Sequence, residues 1–530
     1  MLPISLLTLL TTALLLVILR LFNRRIAWHW LTALLGGVLG WVLVMLARFT
    51  LPQSHGLLSW EFPGIVFAAL SLQLDAISWP FALAVVSMPV AVVLTALARR
   101  SPLYWRPWAG TLLMAALGLL AVCAGDPLTL LLTWVALDLF EMVILFAQGR
   151  QENLSRNMAL TFAGRILGVG LVMLAMLAGQ SAGQAWTLVG IPAAAAPYLL
   201  LAAGLRLGVL PFNAPFYFDE ITIRRGLGSA LRLIPAASGF VLLARTAVAG
   251  IPAVGWITPD FPLQAFFLSL AALSALVGAA AWATAQDEMT GRLFWLLAHG
   301  SLATAAAVLG LPVAALAWGS GCLFSGALLF LHSIRGRGVW LLPLLSALAF
   351  SGLPFTPGWH TVGLFQAGWP WRGLFVLAQA LLLVGFVRHT LRAGQGFDPS
   401  QRWVKVLYVV ALIFLLASQG VAGYALPWPA WSVTGLGGAA AVLIAAALGG
   451  LGLAAGRFGW RLPGGLRLAV QRVFALDWFY RLLEAAYRLI ERLLAMLAFL
   501  LEGDGGLLWV FILIGMLVMA FLGLGGQLDR

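Results

Sequence analysis

The sequence predicts an all-α, polytopic transmembrane bundle. Three observations lead there. Of 530 residues, 62% are hydrophobic and only 9% are charged, whereas a soluble globular chain carries about 25% charge. The apolar residues fall in runs long enough to span a bilayer, which takes roughly 20 residues. The basic residues sit between those runs, singly or in pairs. A soluble enzyme and a disordered chain are both excluded by these proportions. The net charge of +13 does not point to nucleic acid, because loop arginine is what a membrane protein's cytoplasmic side carries.

Walking the chain with a spanning window gives about sixteen candidates, centred on residues 3–21, 28–47, 78–98, 109–124, 127–147, 157–178, 197–211, 228–247, 263–285, 292–310, 312–332, 339–356, 373–391, 405–422, 434–455 and 506–525. The first is read as a retained helix, since no small-residue cleavage site follows it and Arg24-Arg25 lies after the apolar run. The window at 197–211 is short and ends at Pro211, so it is expected to be broken. Residues 466–500 alternate charge and aromatic or aliphatic side chains at helical spacing, with Glu484 and Arg488 four apart. They are read as an amphipathic helix on the membrane surface, followed by a last span.

Loop charge sets an expected orientation. Odd-numbered loops hold Arg24 and Arg25, Arg99, Arg100 and Arg106, Arg150 and Arg156, Arg224 and Arg225, Arg335 and Arg337, and Arg392 and Arg402. Loops 179–196, 248–262 and 423–433 hold no basic residue. The positive-inside rule then places the odd loops in the cytoplasm and both termini outside, in a cell inner (plasma) membrane.

Ionisable residues at membrane depth mark a pathway, a partner or a buried pair. Five stand out on four consecutive spans: Asp138 and Glu141, Arg165, Arg206 and Arg232. Asp138 and Glu141 are three apart and share a helix face. His299 and His332 are softer cases, read first as packing or interfacial residues, with proton carriage as the alternative. Structural pairing and a conduction path both fit the five charges. Cys123 and Cys322 lie in apolar runs, so no disulfide or metal cluster is expected. No metal, nucleotide or nucleophile–base motif is present, and no cofactor is expected.

Several strings, in order along residues 74–360, resemble the antiporter-like membrane subunits of respiratory complex I, a family shared with Mrp-type cation/proton antiporters and membrane-bound hydrogenases. Leu74-Asp75-Ala76-Ile77-Ser78 looks like a D-G-L-S entry to the third span. Trp134 through Glu141 stands where the family has W-E. Gly204 through Asn213 is similar to G-x-x-K-x-G-x-x-P-F-H. Ser229-Ala230-Leu231, Ser238-Gly239 and Arg245 resemble the eighth span. Asp287 through Ser301 looks like D-x-K-R-x-L-A-Y-S-S, Leu323 through Phe330 like L-F-K-A-L-L-F, and Ser351-Gly352-Leu353-Pro354 with Gly358-Trp359 like A-G-L-P and G-F. The surface helix near the C-terminus resembles the lateral helix of the largest such subunits.

The resemblance implies two inverted five-helix repeats, each with a broken helix near the bilayer midplane. The expected division is 1–108 N-terminal helices, 109–250 first repeat, 251–400 second repeat, 401–460 C-terminal helices, and 461–530 lateral helix and last span. The expected function is an ion-translocating or supporting, non-catalytic membrane subunit of a complex of the NADH:quinone oxidoreductase or hydrogenase kind, with other membrane subunits as partners. The alternatives are a stand-alone or paired cation/proton antiporter and a non-conducting scaffold that docks a partner protein; a lipid-modifying enzyme lacks the polar loop cluster it would need.

Departures from the pattern carry chemistry. Val135 follows Trp134, so the carboxylate moves to Asp138; the seventh-span lysine is Arg206, the L-F-K lysine is Ser325, and the histidine after P-F is Asn213. Of 31 basic residues only Lys405 is a lysine. A buried lysine can release its proton, but arginine does not. A relay through these positions is therefore broken at Arg206 and absent at Ser325.

Overall fold

A computed structural model describes residues 1–22, 25–62, 66–98, 104–148, 152–180, 186–209, 225–253, 260–334, 338–392, 402–427 and 431–457, with six further residues between 485 and 496. Residues Met1–Trp460 form one compact unit and Arg461–Arg530 a second. The expected surface helix at 466–500 and the last span lie almost wholly outside the described residues.

The helices in chain order are α1 (Leu2–Phe22), α2 (Ile26–Ala47), α3 (Trp79–Ala96), α4 (Trp105–Val122), α5 (Pro127–Gln148), α6 (Glu152–Gln180), α7 (Ala196–Leu207), α8 (Leu227–Ala249), α9 (Leu263–Thr284), α10 (Arg292–Val308), α11 (Pro312–Leu331), α12 (Leu341–Ser346), α13 (Leu348–Ser351), α14 (Trp371–Leu391), α15 (Arg402–Tyr424) and α16 (Trp431–Arg457). Among the described residues, ten helices are long and apolar enough to cross a membrane. The chain is an all-α, multi-pass membrane protein.

Centre and rim follow from the side chains. Every residue of α3 is buried, and α8 and α11 are nearly so, while α1 and α2 keep most of their apolar surface exposed. In lipid the hydrophobic effect does not draw helices together, so close contact depends on small residues. At Gly278 of α9 a Cβ would lie only 2.8 Å from the backbone nitrogen of Ala298 in α10. The α9–α10 crossing is therefore made by backbones in contact.

Among the described residues, two apolar segments stop short on a left-handed glycine, one in each five-helix set that the sequence suggests. The first is α7, which ends at Gly208 with φ 74° and ψ 19°. The second is the window at 339–356, which is not one continuous helix. It is α12, then α13, which ends at Gly352 with φ 71° and ψ 12°, and then a 3-10 stretch, Pro357–Gln366. Both breaks place glycine in the left-handed conformation that side chains disfavour. Pro354 and Pro357 then prevent the helix from resuming.

One element is absent from the sequence reading. Residues between α2 and α3 form an antiparallel hairpin of β1 (Gln53–Phe62) and β2 (Val66–Leu74), with a bulge between Gly56 and Leu58. The α4–α5 turn fixes its register. Gln73 N–H donates to the Cys123 carbonyl at 2.6 Å, and Gly125 N–H to the Ser71 carbonyl at 2.9 Å. Asp126 caps α5 by accepting from Thr129 N–H at 2.8 Å, and its other oxygen accepts from Ser71 N–H at 2.8 Å. One carboxylate thus starts a helix and holds a strand.

Candidate functional site

The charges singled out in the sequence meet where α5, α6, α7 and α8 converge. Trp134, Asp138 and Glu141 stand at i, i+4 and i+7 on α5 and share its inward face. Across from them, Arg165 of α6 brings Nη1 to 3.0 Å from Asp138 Oδ1 and 2.6 Å from Glu141 Oε2. Arg206, in the last turn of α7 before the Gly208 break, brings its own Nη1 to 3.0 Å from both oxygens of Asp138. Asp138 is therefore held between two guanidiniums from different helices.

The rest of Arg206 is also fixed. Its Nε donates to the Pro235 carbonyl in α8 at 3.4 Å. Its guanidinium lies 4.6 Å over the Trp134 ring, a placement the negative ring face favours. Trp134 is set by its Nε1 donating to Ser238 Oγ at 2.9 Å, and Ser238 Oγ donates to the Pro235 carbonyl at 2.9 Å. Nη2 of Arg206 is buried and finds no hydrogen-bond partner among the described residues. Arg232 of α8 is within electrostatic reach of Glu141 and Arg165. Four of the five intramembrane charges, Asp138, Glu141, Arg165 and Arg206, are thus joined by direct ion pairs, with Arg232 nearby. Two carboxylates stand among three guanidiniums, so pairing offsets most but not all of the buried charge.

The two histidines stand elsewhere. His299 is fully buried in α10; its Nδ1 contacts the Trp295 carbonyl at 3.1 Å, and its ring centroid is 3.9 Å from that of Trp295. A carbonyl only accepts, so Nδ1 carries the proton and Nε2 is bare. Phe350 and Trp318 flank the ring at 5.3 and 5.8 Å. His332 ends α11: its N–H donates to the Leu328 carbonyl at 3.0 Å, and its own carbonyl accepts from Arg225 at 3.5 Å.

Three further groups escaped the sequence reading. Arg245 at the end of α8 pairs with Asp75 at 3.2 Å. Both lie within strings quoted above, yet nothing in their spacing joins them. Arg225 pairs with Glu288 at 2.7 Å, and Arg292 donates to Ser229 Oγ at 3.2 Å. These residues sit at span ends, where a search for mid-span charge does not look. The third group surrounds Ser325. Its hydroxyl donates to the Ser346 carbonyl at 3.0 Å and accepts from Gln419 Nε2 at 2.7 Å. Ser346 Oγ donates to Gln419 Oε1 at 2.7 Å. Where the resemblance expects a lysine, the chain has a neutral ring. Among the described residues, no three His, Cys, Asp or Glu side chains come together as a metal site.

No sequence family and no curated protein matches this chain. Solved structures do. A chain of the membrane-bound sulfane sulfur reductase, an archaeal respiratory membrane complex, aligns with TM-score 0.65 and 15% identity over 98% of this chain and 99% of that one. A chain of the Mrp complex from a Dietzia species aligns with TM-score 0.69 and 16% identity over 99% of this chain, which spans 63% of that longer one. A chain of respiratory complex I from Thermus thermophilus aligns with TM-score 0.59 and 20% identity over 81% of this chain and 100% of that one. The chain shares its fold with these chains of respiratory and Mrp membrane complexes.

Proposed function

We propose that this chain is an antiporter-like membrane subunit of a larger ion-translocating complex, and that the Asp138–Arg206–Arg165–Glu141 network is its electrostatic element. One observation carries the reading: Asp138 is shared between Arg165 and Arg206, each at 3.0 Å, across the broken helix α7. Because arginine keeps its charge, only the two carboxylates can change charge within this group. Arg165 touches both of them. Protonation of one would leave Arg165 to the other, and the change would be felt at Arg206 and the helix break. The network passes a charge change across helices without any lysine.

The partners we propose are other membrane subunits, as in the complexes whose chains share the fold. The α5–α6 face supports this. Arg165 keeps 12% of its side chain accessible, next to Ile166 and Leu167, which are exposed. A guanidinium bordering bare lipid is costly, and a neighbouring subunit over this face would cover it. Following the loop arginines, both termini are assigned to the outer side of the plasma membrane, with repeats at 109–250 and 251–400.

The test is purification in mild detergent with identification of every bound chain, followed by reconstitution. Co-purification of further membrane subunits and of redox or antiporter partners is expected. Asp138→Asn in an assembled complex should lower driven translocation on the order of tenfold or more. A chain that purifies alone, or an assembled Asp138→Asn complex that translocates normally, overturns the proposal. A second reading, a non-conducting scaffold, is favoured by Arg206 and Ser325 standing where lysines would be. It predicts a full set of bound partners and translocation that does not respond to Asp138→Asn.

A further inference from the structure

We infer that the second half of the chain is closed to ions by a neutral clamp, Ser325–Ser346–Gln419, which fastens the broken α12–α13 segment to α11 and α15. The inference deepens the antiporter-like reading and rests on it, but its test does not depend on transport.

The three side chains come from three elements and close on one another. Ser325 Oγ donates to the Ser346 carbonyl at 3.0 Å; Gln419 Nε2 donates to Ser325 Oγ at 2.7 Å and to the same carbonyl at 3.2 Å; Ser346 Oγ donates to Gln419 Oε1 at 2.7 Å. Every hydroxyl proton, both amide protons and the amide oxygen are used inside the ring. Ser325 and Ser346 are fully buried, and Gln419 is 4% exposed. A water or an ion entering here would have to break bonds that are already made.

The helix break beside the ring is filled in the same way. A broken helix leaves carbonyls without partners, and these commonly turn to water or an ion. Here Gln379 of α14 donates its amide to the Phe350 carbonyl at 3.2 Å and the Ser351 carbonyl at 2.6 Å. Ser351 Oγ donates to the Leu348 carbonyl at 3.1 Å. Gln379 Oε1 is buried without a hydrogen-bond partner among the described residues, and space around the break is taken. A Cβ on Gly321 of α11 would come within 3.2 Å of the Ala349 carbonyl oxygen, and one on Gly358 within 2.6 Å of the Leu348 carbonyl oxygen. On the far side Phe350 packs on His299 and Phe386, at 5.3 Å each.

The contrast between the two breaks gives the inference its content. Both end on a left-handed glycine. The first is held by a cation, Arg206, on a carboxylate. The second is held by amides and hydroxyls that carry no charge. The ring at the second break therefore offers no group that can change charge, unlike Asp138 at the first.

The experiment is cysteine accessibility in membranes that hold the assembled complex. Cys123→Ser and Cys322→Ala remove the native thiols, and Ser325→Cys adds one of nearly the same size. Phe355→Cys, at a position 77% exposed, is the open control. The probe is a small cationic methanethiosulfonate, supplied from either side. The expected rate at Ser325→Cys is at least about 100-fold below the control, and adding Gln419→Ala raises it severalfold. Modification of Ser325→Cys within about tenfold of the control overturns the closed second half. A thiol still protected after Gln419→Ala overturns the ring as the closing element. Should Ser325→Cys fail to assemble, Thr361→Cys, fully buried in the 3-10 stretch, reports on the same region. Failure of the transport reading shows separately, as an Asp138→Asn complex with normal flux and an unchanged thiol rate.

Discussion

Arg206 holds Asp138 with one nitrogen: Nη1 is 3.0 Å from each carboxylate oxygen, and both side chains are nearly excluded from solvent. Removing one partner of such a pair strands the other, and breaking a buried pair costs about 3–5 kcal/mol. Arg206→Ala leaves Asp138 to Arg165 alone, and Asp138→Asn leaves Arg206 over Trp134 without a counter-ion. Each single variant should sharply lower the fraction of protein that stays monodisperse in detergent over a heating series. The double variant Asp138→Asn with Arg206→Met should lose less than the sum, with a coupling of at least about 1 kcal/mol. Additive losses would mean that the two residues do not act as a pair.

Asp75 does two jobs with its two oxygens. Oδ1 accepts from Ile77 N–H at 3.1 Å and Ser78 N–H at 2.8 Å, which starts α3, while Oδ2 faces Arg245 at 3.2 Å. The jobs separate by substitution. Asp75→Asn keeps an acceptor for the helix start and loses the charge. Asp75→Ala loses both, and should cost a further 0.5–2 kcal/mol or so, the usual worth of an N-cap. Arg245→Ala should resemble Asp75→Asn in thermal stability. Equal losses for Asp75→Asn and Asp75→Ala would show that the cap contributes nothing.

Much of this was legible because membrane physics writes plainly. Long apolar runs become helices, and Asp138, Glu141, Arg165 and Arg206 pair because lipid offers them little else. The early end of α7 was readable from the short apolar window at 197–211, though the structure sets it at Gly208, ahead of Pro211. The hairpin was not, since its strands are held by Asp126 and the α4–α5 turn rather than by a local pattern. Nor was the Ser325–Ser346–Gln419 ring, whose members are distant in sequence and individually ordinary. His299 could be found by type and read as a packing residue, but type alone did not show that Trp295, Trp318 and Phe350 surround it.

The turn between α9 and α10 is organised by Asp287, whose Oδ1 accepts from Thr290 N–H at 2.7 Å and Met289 N–H at 2.9 Å. Burial alone would push this carboxyl up. The bonds from Thr290 and Met289, with Arg392 nearby, outweigh burial and hold it below the usual carboxylate range. A carboxyl depressed in the fold contributes stability above its unfolded value, and that contribution is lost as pH falls through the folded one. Asp287→Ala should therefore cost about 0.5–2 kcal/mol at neutral pH. The gap between wild type and variant should begin to narrow as pH drops below roughly 4 and close only below the lower folded value. Thermal unfolding of both proteins at neutral and acid pH reads this directly, and a gap that widens in acid would reverse the assignment.

Two glycines give opposite expectations for one substitution. On Gly358 a Cβ would stand 2.6 Å from the Leu348 oxygen and 2.7 Å from the Ala349 carbonyl carbon. Those are backbone atoms of the second break and cannot rotate aside, so the 3-10 stretch would have to move off α13. Gly358→Ala should cost about 1–3 kcal/mol, as overpacking does, and should loosen the closed region around Gln379. Gly56, at the bulge of β1, has nothing within 4 Å of its added carbon. There alanine narrows the unfolded chain's choices without a native clash, so Gly56→Ala should be neutral or stabilising by up to about 1 kcal/mol. Thermal midpoints of the two variants in one detergent decide the matter. A tolerated Gly358→Ala would mean that the break can open, and with it the region that the neutral ring is argued to close.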